Sequence, residues 1–169
     1  MKRTLAIVGS LLFFVIAPGA VVGLIPWLIS NWVWRSALFS VAPLRWLGGA
    51  LIIVGVPILV DSFARFALQG LGTPAPIYPT ERLIVTGLYR FVRNPMYLAV
   101  LAVIIGQALL LGDVRLFIYG AIVWLAFHVF VLVYEEPVLR RRYGARFRDY
   151  CAHVPRWLPR LKLYSDSSF

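Results

Sequence analysis

The chain has 169 residues, of which 61% are hydrophobic and 14% are charged, and its mean hydropathy is +0.82. Soluble domains carry about 25% charged residues, so this composition excludes an ordinary soluble enzyme and predicts a membrane domain. The formal net charge is +10. Because basic residues lie mainly at the ends of apolar runs and in the C-terminal tail, we expect anionic lipids at the membrane surface as partners, and no nucleic acid.

Four apolar segments follow one another, and each approaches the ~20 residues that a helix needs to cross a bilayer. They comprise residues 5–29, 44–68, 96–111 and 116–134. Pro18 and Pro26 are expected to kink or end the first segment. The short Gly112–Asp113 connection predicts an antiparallel hairpin of the last two. The predicted fold class is an all-α, polytopic membrane protein with about four transmembrane helices and a C-terminal interfacial amphipathic helix.

The segments form one predicted membrane domain over residues 1–169. Its parts are two N-terminal spanning helices, a loop with a polar motif, a helical hairpin and a polar tail, over residues 1–70, 71–95, 96–134 and 135–169. Of the 17 basic residues, all but Arg35, Arg45 and Arg115 fall on the side of the long loop and the tail. The positive-inside rule therefore predicts an integral multi-pass protein with both termini cytoplasmic, in the inner or plasma membrane if the organism is a bacterium.

Several polar residues lie within or beside the apolar segments. Asp61 and Arg65 are four residues apart and are predicted to pair, and Gln107 is explained by hydrogen bonding between helices. His128 lies seven residues before Glu135, so both occupy one helix face. Its ring either faces a functional cavity or is a neutral imidazole bonded to a backbone carbonyl. Cys151 is the one cysteine, which excludes an internal disulfide, and no cluster predicts a metal site.

The sequence T-G-L-Y-R-F-V-R-N-P-M-Y at 86–97 gathers several polar residues before the third apolar segment. Pro95 is the predicted first helical residue and Asn94 its N-cap. Arg93 and Tyr97, four apart, project from one side of the helix start. A helix N-terminus suits a carboxylate or phosphate, but an ordinary capped helix with arginines anchored at a membrane surface explains the pattern equally well.

Two adjacent carboxylates, Glu135 and Glu136, follow the fourth apolar segment. Pro137 is predicted to restart a helix there, with both carboxylates near its positive end. Apolar residues then recur at helical spacing among arginines, which predicts an amphipathic interfacial helix: Leu139, Tyr143, Phe147 and Tyr150. Carboxylates gain nothing from an anionic lipid surface, so this pair indicates a functional site.

Together these segments resemble the two signatures of a superfamily of membrane methyltransferases that includes isoprenylcysteine carboxyl methyltransferases and phospholipid N-methyltransferases. The segments that resemble the first signature are G-T-P-A-P at 72–76 and L-I-V-T-G-L-Y-R-F-V-R-N-P-M-Y at 83–97. Those that resemble the second are E-E-P at 135–137 and V-P-R at 154–156. The resemblance covers residues 63–159. It implies S-adenosyl-L-methionine held between the last two spans and the tail, and in-line methyl transfer to an isoprenylcysteine carboxylate or another small lipid.

The resemblance also implies roles for individual residues. The expected cofactor-binding residues are Tyr89, Arg93, Asn94, Pro95, Tyr97, Glu135, Glu136, Tyr150 and Arg156. The residues expected to act in catalysis are Arg93, Asn94, Glu136 and His128. Many members of the superfamily have histidine where this chain has Asn94, and an amide is no base near neutral pH. A carboxylate acceptor needs no base, whereas an amine acceptor must lose a proton to Glu135, Glu136 or His128.

Two other functions remain open. Membrane sterol reductases that use NADPH resemble the C-terminal half, although the Glu135–Glu136 pair would repel the 2′-phosphate of NADPH. The second open possibility is a non-catalytic relative that keeps the fold of the family. The acceptor, whether a prenylated cysteine, a phospholipid amine or another lipophilic molecule, and the oligomeric state are not determined by the sequence.

Overall fold

The computed structural model describes residues 15–37, 41–68, 83–162 and 164. Every long regular element in these ranges is a helix, and we number them α1 to α5: Val15–Ser30, Pro43–Leu68, Pro95–Leu111, Val114–Phe130 and Glu136–His153. Helix α2 packs along α3, α3 and α4 form a hairpin, and α1 contacts both members of the hairpin. The predicted all-helical membrane fold is confirmed for this part of the chain.

Two helical stretches, Pro43–Phe66 and Val114–His153, are long and apolar enough to cross a membrane, whereas α1 and α3 are apolar but shorter. Large apolar side chains cover the outside: Ile53 is 74% exposed and Ile122 is 61% exposed. Lipid accommodates such a surface and water does not. That all four helices cross, and that both termini are cytoplasmic, stay predictions, and residues 5–14 of the first predicted span lie outside the described ranges.

Helix α1 continues through Pro26, and this proline therefore does not end the helix. A π-helical turn of α1, Gly19–Leu24, comes just before the proline. Proline has no N–H to bond the carbonyl four or five residues earlier, and those carbonyls belong to Val22 and Val21. The side chain of Gln107 donates to the Val22 carbonyl at 2.8 Å, and the Tyr119 hydroxyl donates to the Val21 carbonyl at 2.9 Å. The interhelical role predicted for Gln107 is therefore confirmed.

Small residues bring α2 and α3 into backbone contact. A Cβ added to Gly48 would lie 2.6 Å from the carbonyl oxygen of Gly106, and one added to Gly55 would lie 3.1 Å from the Ala99 carbonyl oxygen. The first distance is shorter than real Cβ atoms permit, so glycine is required at this crossing. Close packing of small residues is the usual way in which helices associate in lipid.

The turn between α3 and α4 confirms the predicted hairpin. Gly112 adopts a φ of +72°, and the buried Asp113 side chain caps α4 by accepting a hydrogen bond from the backbone N–H of Arg115. Guanidinium groups bond the same carboxylate, at 3.1 Å from Arg35 and 2.6 Å from Arg115. Hydrogen bonds from Arg115 lower the pKa of Asp113 from 3.8 to about 2, although burial opposes the shift.

Replacing Asp113 with asparagine is expected to destabilise the protein at pH 7 by ~1 kcal/mol, since asparagine still caps a helix but loses the charge that pairs with the arginines. The folded-state pKa lies below the unfolded one. The carboxylate therefore stabilises above about pH 4 and loses this effect as the pH falls towards 2. Thermal unfolding in detergent should show a gap between wild type and Asp113→Asn that narrows from pH 7 to pH 3. A gap that widens would contradict the assignment.

Helix α4 runs into α5 through a π-helical turn, Val131–Glu135. Pro137 lies in the first turn of α5, as the sequence predicts, but the chain stays helical through the join, because the wider turn comes before the position at which the proline N–H is missing. The break falls instead at Gly144, whose φ of 55° and ψ of −122° are non-helical. That conformation suits glycine, which lacks a Cβ.

The predicted C-terminal amphipathic helix is present, and its apolar face packs against the protein itself. Phe147 and Tyr150 are buried with Val85, Val154 and Tyr164, which come from the loop before α3 and from the tail. Arginines 140–142 are exposed on the other side. Helix α5 therefore joins the loop and the tail into one layer at the end of the bundle.

Candidate functional site

The tail returns to the start of α3. Asn94 and Pro95 occupy the N-cap and first-turn positions, as predicted, but the Asn94 side chain makes no hydrogen bond that caps the helix. Its amide instead donates to the backbone carbonyl of Arg156 at 3.2 Å, and the backbone N–H of Arg93 donates to the Pro155 carbonyl at 2.9 Å. Asn94 is thus the N-cap residue that the sequence predicts, but its side chain bonds the tail and not the backbone of the helix.

A second set of bonds joins the same two segments. The Tyr150 hydroxyl donates to the backbone carbonyl of Tyr89 at 2.6 Å, and the backbone N–H of Arg160 donates to the Phe91 carbonyl at 3.0 Å. The loop before α3, α5 and the tail are thus tied together around the two signature segments.

Glu136 is the centre of a charged network. It accepts one hydrogen bond from Arg93 Nη1 at 2.9 Å, and two from Arg156, whose Nε and Nη2 lie 2.7 and 2.9 Å from its two oxygens. Paired bonds of this kind fix both orientation and distance. The hydrogen bond to Glu136 raises the pKa of Arg156 above its ordinary value. Two guanidinium groups on one carboxylate leave this trio with a net positive charge.

Glu135 has a different partner. The Tyr97 hydroxyl donates to Glu135 Oε2 at 2.8 Å, and the Tyr97 ring stacks on Phe127 with 4.5 Å between ring centroids. Neighbouring side chains on a helix project about 100° apart, which lets Glu135 and Glu136 engage different partners. The two carboxylates therefore have separate chemical surroundings.

A cavity of about 520 Å³, counting its open mouth, lies between these elements, and we call it the charged cavity. Six of the residues predicted from the sequence line it: Tyr89, Arg93, Asn94, Glu135, Glu136 and Tyr150. The structure thus brings together residues from both signatures, which lie some 40 positions apart in the chain.

The other predicted residues lie outside this lining. Arg156 and Tyr97 reach the cavity through their bonds to the two glutamates, and Pro95 is buried at the start of α3. Among the described residues His128 bonds neither a backbone carbonyl nor a cavity group: its Nδ1 accepts a hydrogen bond from the Trp157 indole at 3.0 Å. Because an indole N–H only donates, Nδ1 carries no proton in this arrangement.

Sequence reasoning missed the apolar part of the lining, which consists of Phe66, Leu83, Ile84, Val131, Leu139 and Phe147. Val131 and Leu139 lie four residues on either side of Glu135, so helical spacing gave a usable signal for these two. Leu83 and Ile84 belong to the first signature segment and Phe147 to the apolar face of α5, whereas Phe66 comes from α2, which no local pattern connects with the charged residues.

Arg93 carries an unsatisfied donor at this site. Its Nη1 bonds Glu136 and also lies 3.0 Å from the Cys151 sulfur, but its Nε is buried and has no hydrogen-bond partner among the described residues. Buried donors are nearly always paired in native proteins. An unpaired one beside a cavity fits a ligand that brings its own acceptor, such as a carboxylate.

Comparison with known protein families identifies the family of this chain. A family model described as phospholipid methyltransferase matches residues 44–146, well over half of the chain. The chain belongs to the phospholipid methyltransferase family. The matched region runs from α2 into α5 and includes both glutamates and Arg93, so the superfamily assignment made from the two signatures is confirmed.

One curated relative in this family is a phosphatidylethanolamine N-methyltransferase from Malassezia globosa. It is 29% identical over 129 residues, which cover 76% of this chain and 11% of the relative. The chain thus spans about a ninth of that relative's length. No solved structure matches the chain.

Proposed function

We propose that this chain is an S-adenosylmethionine-dependent methyltransferase whose acceptor is the amine headgroup of a phospholipid. The observation that carries this proposal is the charged cavity, in which Arg93 and Asn94 of the first signature meet Glu135 and Glu136 of the second. The family description and the name of the Malassezia relative favour a phospholipid acceptor over a prenylated cysteine.

The residues of the charged cavity fit the cofactor. The unpaired Nε of Arg93 suits the carboxylate of its amino-acid end. Glu135 and Glu136 present carboxylate oxygens to an ammonium group or ribose hydroxyls, and the buried Tyr89 and Phe147 offer apolar surface. When bound, S-adenosylmethionine supplies a methyl group that is attached to a positively charged sulfur. The leaving group is then a neutral thioether.

Glu135 is the best-placed proton acceptor for an amine. Glu136 already accepts three hydrogen bonds from arginines, and Nδ1 of His128 is occupied by Trp157. Glu135 lines the charged cavity and bonds Tyr97. A headgroup ammonium would pass one proton to Glu135, which would free the nitrogen lone pair to accept the methyl group that S-adenosylmethionine would supply.

The remaining work of the site is alignment and exclusion of water. In-line displacement gains ~7–11 kcal/mol from holding the reacting atoms in line. The bidentate Arg156–Glu136 pair and the stacked Tyr97–Phe127 pair hold two walls in place, and bonds between the tail and the loop close the end of the bundle. These contacts supply preorganisation without any further catalytic group.

Calorimetric titration of the detergent-solubilised protein with S-adenosylhomocysteine, beside a parallel titration with NADPH, tests the cofactor. We expect saturable binding of S-adenosylhomocysteine alone. Binding of NADPH alone would establish the reductase alternative, and binding of neither by folded protein would establish the non-catalytic relative. Transfer of labelled methyl groups to phosphatidylethanolamine and to a prenylcysteine, assayed side by side, then tests the acceptor.

A further inference from the structure

A second pocket lies next to the charged cavity, and we call it the apolar pocket. Its volume is about 390 Å³ with its open side, and four helices form it: Ala17 and Pro18 come from α1, Phe63 from α2, Val100 from α3 and Phe127 from α4. No polar surface lines it. Water needs two to four polar partners to occupy a cavity, so the ligand that this pocket suits is a hydrocarbon.

Tyr97 forms the boundary between the two sites. Its side chain lines the apolar pocket, and its hydroxyl bonds Glu135, which lines the charged cavity. A ligand whose polar end lies at Glu135 therefore reaches the apolar pocket past a single side chain.

The charged cavity and the apolar pocket follow each other along the bundle in the same order as the headgroup and the acyl chain of a membrane lipid. Helix α3 begins at Pro95, beside the charged cavity, and Val100 lies five residues further along it. At 1.5 Å per residue the pocket extends about 7 Å from the charged end of the bundle into its apolar part. The headgroup of a membrane lipid and its acyl chain are separated in the same direction.

We propose that the apolar pocket holds an acyl chain of the phospholipid acceptor and thereby positions the headgroup at Glu135. This assignment rests on the proposed function and adds to it the part of the protein that recognises the lipid. The polar residues then serve the cofactor and the reacting nitrogen, while apolar side chains of all four helices select the hydrocarbon.

Replacing Ala17 with phenylalanine tests the assignment, because this half-buried residue can fill the pocket without replacing a large core side chain. We expect the KM for phosphatidylethanolamine to rise about tenfold, with affinity for S-adenosylhomocysteine within twofold of wild type. The matched control is Ala121→Phe on the exposed surface of α4, which should change neither value. Met96→Phe, from the α3 wall, repeats the test should Ala17→Phe fail to fold. Equal KM values in the pocket and control variants would overturn the proposal.

A photoreactive phosphatidylethanolamine with a diazirine in one acyl chain tests the pocket without turnover. We expect light-induced labelling of peptides that contain Phe63 or Val100 in the wild type and in Ala121→Phe, and its loss in Ala17→Phe. Absence of S-adenosylhomocysteine binding would defeat the proposed function, yet labelling that Ala17→Phe abolishes would still uphold the pocket as a lipid site. Labelling that is the same in all three proteins would overturn it.

Discussion

Exchanging Glu136 for glutamine is expected to reduce the affinity for S-adenosylhomocysteine at least 100-fold. The carboxylate holds Arg93 and Arg156 together at the edge of the charged cavity. The amide of glutamine carries no charge and has a single acceptor oxygen, so it cannot accept the bonds of both guanidinium groups. A 100-fold loss in affinity corresponds to about 2.7 kcal/mol of binding free energy. Calorimetric titration measures this effect directly.

Asp149→Asn is the matched control, since it neutralises another carboxylate of α5 that bonds Tyr164 outside the charged cavity. It should bind S-adenosylhomocysteine like the wild type. Thermal unfolding identifies any general loss of structure, and Glu136→Asp, which retains the charge, should bind with an intermediate affinity. Wild-type affinity in a folded Glu136→Gln variant would remove Glu136 from the cofactor site.

Exchanging Glu135 for glutamine is expected to slow methylation of phosphatidylethanolamine, measured at saturating S-adenosylmethionine, by about 10²–10⁴, the usual contribution of a general base. Glutamine keeps the size of the side chain and can still accept the Tyr97 hydrogen bond. The lost step is therefore the removal of a proton from the headgroup.

The pH profile separates this role from a structural one. In the wild type the rate of amine methylation should fall at low pH, where Glu135 is protonated and cannot act as an acceptor, and this fall should be absent from the residual activity of Glu135→Gln. Tyr97→Phe removes the hydroxyl and keeps the ring, so it should retain the acidic fall with a shifted midpoint. An unchanged rate in Glu135→Gln would assign the proton transfer to another group.

The helices were the part of this structure that local sequence could predict. Pro43 and Pro95 begin α2 and α3, and Gly112 ends α3, within a residue of the expected positions. Each boundary depends on a backbone preference of the residue itself, φ for proline and the left-handed region for glycine. The predicted Asp61–Arg65 pair is likewise confirmed at 2.7 Å, because both residues lie on one helix.

The partners at the site depended on contacts that no spacing reveals. Asn94 was placed correctly at the start of α3, but its amide bonds the tail instead of the helix. His128 meets Trp157, 29 residues further along the chain. In both cases the partner lies in the tail, and only the folded arrangement of loop, α5 and tail brings the two groups together. The break at Gly144 was missed for a related reason, since buried Phe147 and Tyr150 hold the second half of α5 against the loop.

The glycine contacts between α2 and α3 constrain how this protein can move. Backbones that touch at Gly48 and Gly106, and again near Gly55 and Ala99, cannot slide or twist past each other without a collision, so the two helices form a rigid unit. Helix α1 is fastened differently, by side-chain bonds to the carbonyls beside Pro26, which can break and re-form one at a time. The side-chain bonds of α1 are therefore easier to break than the backbone contacts that join α2 and α3.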